Sequence, residues 1–168
     1  MRLDFSQKSA VRPLTAADVD EILALCAGNE QFYRYHPPFV TRQSILEDMA
    51  ALPPGKSGKE KHYLGFFDGG KLIAVLDLIE NYPQEGVAYI GFFMMRKALQ
   101  GRGIGTELID GLLNELRQSG WRKVRLAVDK GNPQSRTFWE KNGFVLTGEE
   151  MPHGDSAYLP MERNRKSR

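Results

Sequence analysis

The chain is 168 residues long, 41% hydrophobic and 26% charged, the make-up of one globular domain able to bury roughly 70% of its unfolded surface without disulfides or metals. Its formal charge of +2 comes from the end of the chain, since Glu162 to Arg168 contributes +3 and leaves the rest near −1. This excludes the basic surface of a nucleic-acid binder and reads as a short basic tail, 162–168, after a single domain spanning 1–161.

The opening MRLDFSQKSAVRP has no apolar run, no stretch approaches the ~20 apolar residues of a membrane span, Cys26 has no partner, and no Asn-x-Ser/Thr acceptor occurs. A cytoplasmic protein is expected. Thr15, followed three residues later by Asp18, predicts a helix start, with Val19, Ile22, Leu23 and Cys26 on its buried face. A second helical pattern follows Thr41 through Ile45, Leu46, Met49 and Ala50 and stops before Pro53 and Pro54. Between them lies the aromatic stretch QFYRYHPPF.

From His62 the period changes to that of strands. HYLGFF, a turn at Asp68, Gly69 and Gly70, and KLIAVLDLIE read as a hairpin, and NYPQEG closes a second turn. VAYIGFFMM, Val87 to Met95, is apolar on both faces and predicts a central strand covered on both sides. After LQGRG, a helical stripe runs through Ile104, Leu108, Ile109, Leu112, Leu113 and Leu116, with Glu107, Asp110, Asn114, Glu115 and Arg117 opposite, and ends at Gly120. KVRLAVD turns Val124, Leu126 and Val128 inward. A strand, helix, strand unit of this length implies a parallel crossover and hence a mixed sheet. Asn132 and Pro133 open a short helix that stops at Gly143, and FVLTGEE and SAYLPMER read as a last antiparallel pair. The sum is one α/β layer domain.

Two phosphate motifs are excluded. Gly55, Lys56 and Ser57 resemble the end of a P-loop, but Ala50 stands where its first glycine belongs. Gly101, Gly103 and Gly105 lack the spacing of a dinucleotide fingerprint, whose third glycine would fall at Thr106. What they do form is a side-chain-free loop between a central strand and an amphipathic helix. Unpaired N–H groups and the helix dipole make that junction an anion cradle suited to a pyrophosphate.

The run Gln100, Gly101, Arg102, Gly103, Ile104, Gly105 resembles the QxxGxG signature of the GNAT superfamily of acetyl-CoA-dependent N-acetyltransferases. Asn132, Ser135, Phe138, Trp139, Gly143 and Phe144 resemble that family's second motif. The two motifs span Tyr89 to Phe144, and the element order extends the likeness to most of the chain. The resemblance implies a mostly antiparallel twisted sheet flanked by helices, with a splayed central strand pair that holds the cofactor. Backbone N–H groups from Arg102 to Thr106, including Gly103, Ile104 and Gly105, would hold the CoA pyrophosphate beside Gln100 and Gly101. Across Phe93, Met94 and Met95, the backbone groups of Phe93 and Met95 would pair with the pantetheine arm as an added strand. Asn132, Ser135 and Trp139 would flank it, and Arg102 would approach the phosphates.

The implied reaction is attack of an amine on the thioester, which needs a base, carbonyl polarisation and an acid for the thiolate. The family's usual tyrosine acid is replaced by Trp139, whose indole is no proton donor, so Tyr89 and Tyr158 are the candidate acids. Tyr89 stands where some members carry a glutamate base, which leaves Asp77 and Glu80 as candidate bases. Asp77 interrupts LIAVLDLI, where burial would raise its pKa. For the acceptor, Phe32, Tyr33, Tyr35, His36 and Phe39 would wall a pocket or form a small core, and Glu30 or Glu80 would attract a cationic amine. The three histidines have no ligand spacing, and no metal is expected. A homodimer is compatible with the resemblance, although no residue pattern specifies an interface. The alternative to an enzyme is a non-catalytic acyl-CoA-binding sensor or regulatory domain.

Overall fold

A computed structural model describes residues 1–165. Its strands are β1 (Ala10–Pro13), β2 (Lys61–Asp68), β3 (Lys71–Glu80), β4 (Val87–Met95), β5 (Lys123–Asp129), β6 (Val145–Leu146), β7 (Met151–His153) and β8 (Ser156–Asn164), and its helices are α1 (Val19–Ala27), α2 (Glu30–Tyr35), α3 (Arg42–Ala50), α4 (Ile104–Gln118) and α5 (Pro133–Lys141). One sheet runs β1-β2-β3-β4-β5-β8-β6, with β7 also on β8. Every pairing is antiparallel except β4 with β5, because α4 carries the chain back over one face, as the crossover argument requires. Among the described residues no helix is long and apolar enough to cross a membrane.

Strand alternation divides the core between the two faces. Leu64, Leu76, Leu78, Ile90, Leu126 and Met161 pack with Leu108, Ile109 and Leu112 of α4 and Trp139 of α5. On the other face Tyr63, Val75 and Met94 meet Ile22, Leu25 and Cys26 of α1 and Ile45 of α3. The buried set of α1 is Val19, Ile22, Leu25 and Cys26, with Leu23 half-buried at the edge of the same cluster, and the Thr15 capping box belongs to a single 3-10 turn at Ala16–Asp18.

Five further features differ from the sequence reading. The edge strand β1, the short strand β7 and the helix α2 are additional; α2 falls within the aromatic stretch and buries no residue fully. Glu115 lies on the buried face of α4, where it accepts from the Arg2 backbone N–H at 2.8 Å and the Ser119 hydroxyl at 3.1 Å. The cause is the N-terminal segment, which crosses α4 so closely that a Cβ at Gly111 would meet the Phe5 carbonyl oxygen at 2.7 Å. Finally, β8 runs through Asn164, so Glu162, Arg163 and Asn164 of the expected tail pair with Arg125, Val124 and Lys123. Residues 166–168 of that tail lie outside the described residues.

Candidate functional site

The parallel pair β4 and β5 is joined only from Val87–Ile90 to Lys123–Leu126. Beyond that point β4 stays on β3 as far as Met95, paired with Ala74, while β5 stays on β8 as far as Asp129, paired with Tyr158. The two middle strands therefore part inside the sheet. At the parting the β3–β4 register slips, with Asp77 opposite Phe92 and Leu78 opposite Ile90, which leaves Gly91 as the extra residue of a bulge. An isolated glycine in an apolar strand is the sequence signal for such a bulge, although the sequence reading did not use it.

A cavity of about 290 Å³ occupies the split, lined by Gly91, Phe93, Val128, Ser135 and Trp139 and by His36, Asp129 and Tyr158, with Phe32 and Tyr89 alongside. Arg96 N–H donates to Ile73 O, so by antiparallel alternation the backbone groups of Met94 point to β3, and those of Phe93 and Met95 point into the split. Met94 is thus not a lining residue: its side chain is in the α1 core.

The split leads to the start of α4. Gly101 and Gly103 both have φ of +78° with open space where a Cβ would stand, and Gly103 caps α4 with no side-chain bond. The first main-chain bond of α4 runs from Glu107 N–H to Gly103 O, so the N–H groups of Ile104, Gly105 and Thr106 have no partner within the helix. This fits a pyrophosphate: a shelf of donors at a helix N-terminus. Gly105 has a different steric task, because a Cβ there would meet Phe138 at 3.2 Å; it allows α5 to pack against α4. The Thr106 hydroxyl is taken by Asn142 at 3.4 Å, and the Arg102 side chain is exposed.

Gln100 braces the loop instead of facing the cradle. Its amide donates to Asn29 Oδ1 at 2.7 Å and to Met95 O at 3.1 Å, and it accepts from Gln134 at 3.1 Å. Asn29, 7% exposed, donates in turn to Leu25 O at 3.0 Å and Met95 O at 3.1 Å. Both lone pairs of the Met95 carbonyl are therefore occupied, and only its N–H remains for a ligand. Asn29 carried no motif in the sequence, since its role depends on a contact across 66 residues. Replacing it removes three hydrogen bonds at once, two of them buried. Asn29→Ala is expected to cost about 1–3 kcal/mol of stability, as measured by thermal melting.

Asn132 caps α5: its Oδ1 accepts from Ser135 N–H at 3.3 Å and its Nδ2 donates to Ser135 Oγ at 3.0 Å. Trp139 is nearly buried against Phe93, Phe138 and Phe144. Glu80 is corrected as a site residue. It shares the α4 face of the sheet with Leu78 and Leu64, and its carboxylate lies 3.3 Å from His62 Nε2. Asp77 is on the opposite face, largely buried, with its pKa raised first by desolvation; Lys61 Nζ, 3.0 Å away, opposes the shift. It does not line the cavity. Its carboxylate sits behind the bulge, 3.2 Å from the point where a Gly91 Cβ would be.

The aromatic stretch divides in two. Phe32 and His36 reach the cavity, stacked on each other at 5.3 Å, and Phe32 also meets Phe92. Tyr33 turns inward against Phe39, and burial holds its phenol far above the ordinary range, while Tyr35 and Phe39 are exposed. His36 Nδ1 is 3.0 and 3.1 Å from the two Asp129 oxygens, a contact that raises the imidazole pKa. Tyr158 stacks on His153 at 4.5 Å, and Tyr89 meets Tyr82 edge-on at 5.2 Å. Burial raises the pKa of both phenols. Sequence reading assigned His36 only to a pocket wall and missed Asp129, although a carboxylate ending a strand on the face opposite Val124, Leu126 and Val128 was available as a signal.

Comparison with known proteins agrees with this fold. The model of the acetyltransferase (GNAT) family matches residues 19–144. A mycothiol acetyltransferase from Corynebacterium glutamicum is 30% identical over 88 residues, 52% of this chain and 30% of that protein, so this chain spans well under half of that relative. Among solved structures, an acetyltransferase from Thermus thermophilus superposes with a TM-score of 0.75 at 19% identity, covering 98% of this chain and 100% of that one. The PaiA N-acetyltransferase of Thermoplasma acidophilum, in complex with coenzyme A, gives 0.68 at 18% identity, with 94% and 99% covered.

Proposed function

The chain belongs to the GNAT family of acetyltransferases, and from that premise we propose that it is an N-acetyltransferase. It moves the acetyl group of acetyl-CoA to a primary amine, of a small molecule or of a peptide or protein, by direct attack in a ternary complex. The observation that carries this reading is the parting of β4 and β5 after Ile90 and Leu126, with the donor shelf of α4 at its end.

Acetyl-CoA brings an activated thioester, so the work left to the chain is positioning, water exclusion and proton handling. The N–H groups from Arg102 to Thr106 hold the pyrophosphate. The free edge of β4 at Phe93 and the Met95 N–H takes the pantetheine arm as a strand would be taken, and Ser135 and Trp139 form the wall opposite. Gly91 and Asp129 would then flank the thioester, with Phe32 and His36 on the acceptor side. The Asp129 carboxylate favours an acceptor that arrives as an ammonium.

The test is calorimetric titration with acetyl-CoA and CoA, followed by thiol release from acetyl-CoA over a panel of primary amines: a diamine, a polyamine, an aminoglycoside and a peptide with a free N-terminus. Binding with amine-dependent thiol release is the expected result. Binding without turnover across the panel supports the sensor alternative, which the indole of Trp139 at the family's acid position favours. Failure to bind either form of CoA overturns both.

A further inference from the structure

Two side chains that line the cavity come from distant parts of the chain. His36 is at the C-terminal end of α2 and Asp129 is the last residue of β5, 93 positions later. The Asp129 side chain is only 11% exposed, and both of its oxygens lie within 3.1 Å of one imidazole nitrogen. That fixes the tautomer: Nδ1 carries the hydrogen and donates it to the carboxylate, which leaves the Nε2 lone pair without a hydrogen-bond partner among the described residues. Phe32 stacks on the ring at 5.3 Å, and the Tyr158 ring lies 6.1 Å from it. The alternative carboxylates are unsuited, since Asp77 is tied to Lys61 behind the bulge and Glu80 is across the sheet.

We propose that His36 is the general base of acetyl transfer and that Asp129 is its positioning partner. This assignment rests on the acetyltransferase reading above. Nε2 takes one proton from the acceptor ammonium and passes it to solvent. The nitrogen lone pair so released forms the C–N bond to the thioester carbon, and the C–S bonding pair leaves on sulfur. The second nitrogen proton goes to the thiolate, with Tyr158 within the same cavity to relay it, and one proton is released per amide formed. Asp129 has the part of an orienting carboxylate: it holds the ring and stabilises the imidazolium.

The groups that face His36 set its titration. Asp129 from β5 hydrogen-bonds to it, and Asp48 from α3 adds negative charge, both favouring the imidazolium. Tyr158 from β8, with His153 of β7 stacked behind it, stays uncharged below its raised pKa. Burial of the ring opposes the two carboxylates, and the net direction is upward; the base form needed for catalysis therefore appears at higher pH than for a free imidazole, and the rate rises with pH through its titration.

The experiment compares wild type, His36→Gln and Asp129→Asn, using the panel amine that turns over best. Two readouts are taken: kcat/KM against pH, and the imidazole titration of ¹⁵N-labelled protein, in which the His36 signals are those missing from His36→Gln. Expected are an unchanged acetyl-CoA affinity, a loss of about 10²- to 10⁴-fold in kcat/KM for His36→Gln, and a shift of both the His36 titration and the rising limb to lower pH in Asp129→Asn. A His36→Gln enzyme with wild-type kcat/KM and pH profile overturns the assignment and leaves the acetyltransferase reading intact. So does a His36 titration that does not move in Asp129→Asn. A wild type that binds acetyl-CoA and acetylates no amine overturns the acetyltransferase reading and this assignment together.

Discussion

Gly103→Asp is expected to lower the affinity for acetyl-CoA and free CoA by at least about 100-fold, with the fold preserved. Position 103 has φ of +78° and ψ of 0°, caps α4 and has nothing within 4 Å of its Cβ direction. An L-residue there costs about 1–2 kcal/mol in backbone strain, a small melting shift for a domain of this size. The carboxylate adds a negative charge where the pyrophosphate must sit. Two unit charges 4 Å apart near a protein surface repel by about 4 kcal/mol, and each 1.4 kcal/mol is about tenfold in Kd. Gly103→Asn separates strain from charge, since asparagine tolerates the left-handed region. Calorimetric titration should give near-wild-type affinity for Asn and a lost isotherm for Asp. Equal losses in the two variants would show strain at work instead of charge, and unchanged binding in both would remove the cradle.

This part of the molecule was legible in the sequence because the information is local. Three alternating glycines between an apolar strand and an amphipathic helix specify a shelf of free N–H groups without any long-range contact, and a parallel crossover follows from the strand, helix, strand spacing. The same holds for the Asn132 cap and for the inward set Val124, Leu126 and Val128. What the sequence did not disclose depends on distant pairings. Asn29 gains its meaning from Met95 and Gln100, Glu115 is buried only because the first residues cross α4 at Gly111, and Asp129 becomes part of the site only when α2 brings His36 to it. Glu80 shows the reverse error. On the neighbouring strand it looked close to the site, but strand parity placed it on the far face, and parity relative to the core was not fixed for a strand apolar on both sides.

Lys61→Met is expected to destabilise the fold by about 3–5 kcal/mol, because it removes one partner of a buried ion pair and leaves the other charged. Side-chain exposures of 6% for Lys61 and 15% for Asp77 place the pair in that regime and not among surface pairs of little worth. One Asp77 oxygen, Oδ1, is already buried without a hydrogen-bond partner, and Asp48 adds further negative charge nearby. The melting temperature should fall by roughly 10 °C. Loss of Lys61 removes the main opposition to the desolvation that already raises the Asp77 pKa, so in the variant the folded-state value lies still further above the unfolded one. A raised carboxyl contributes stability that is complete below its unfolded pKa and is lost as pH rises through the folded pKa. The deficit of the variant against wild type is therefore largest at neutral pH and narrows on acidification. The double variant Lys61→Met, Asp77→Leu removes both charges and should recover most of the loss. Because Asp77 lies behind the Gly91 bulge and outside the cavity, the double variant should also keep the wild-type pH dependence of turnover. A profile that loses its rising limb in this variant would return the role of base to Asp77.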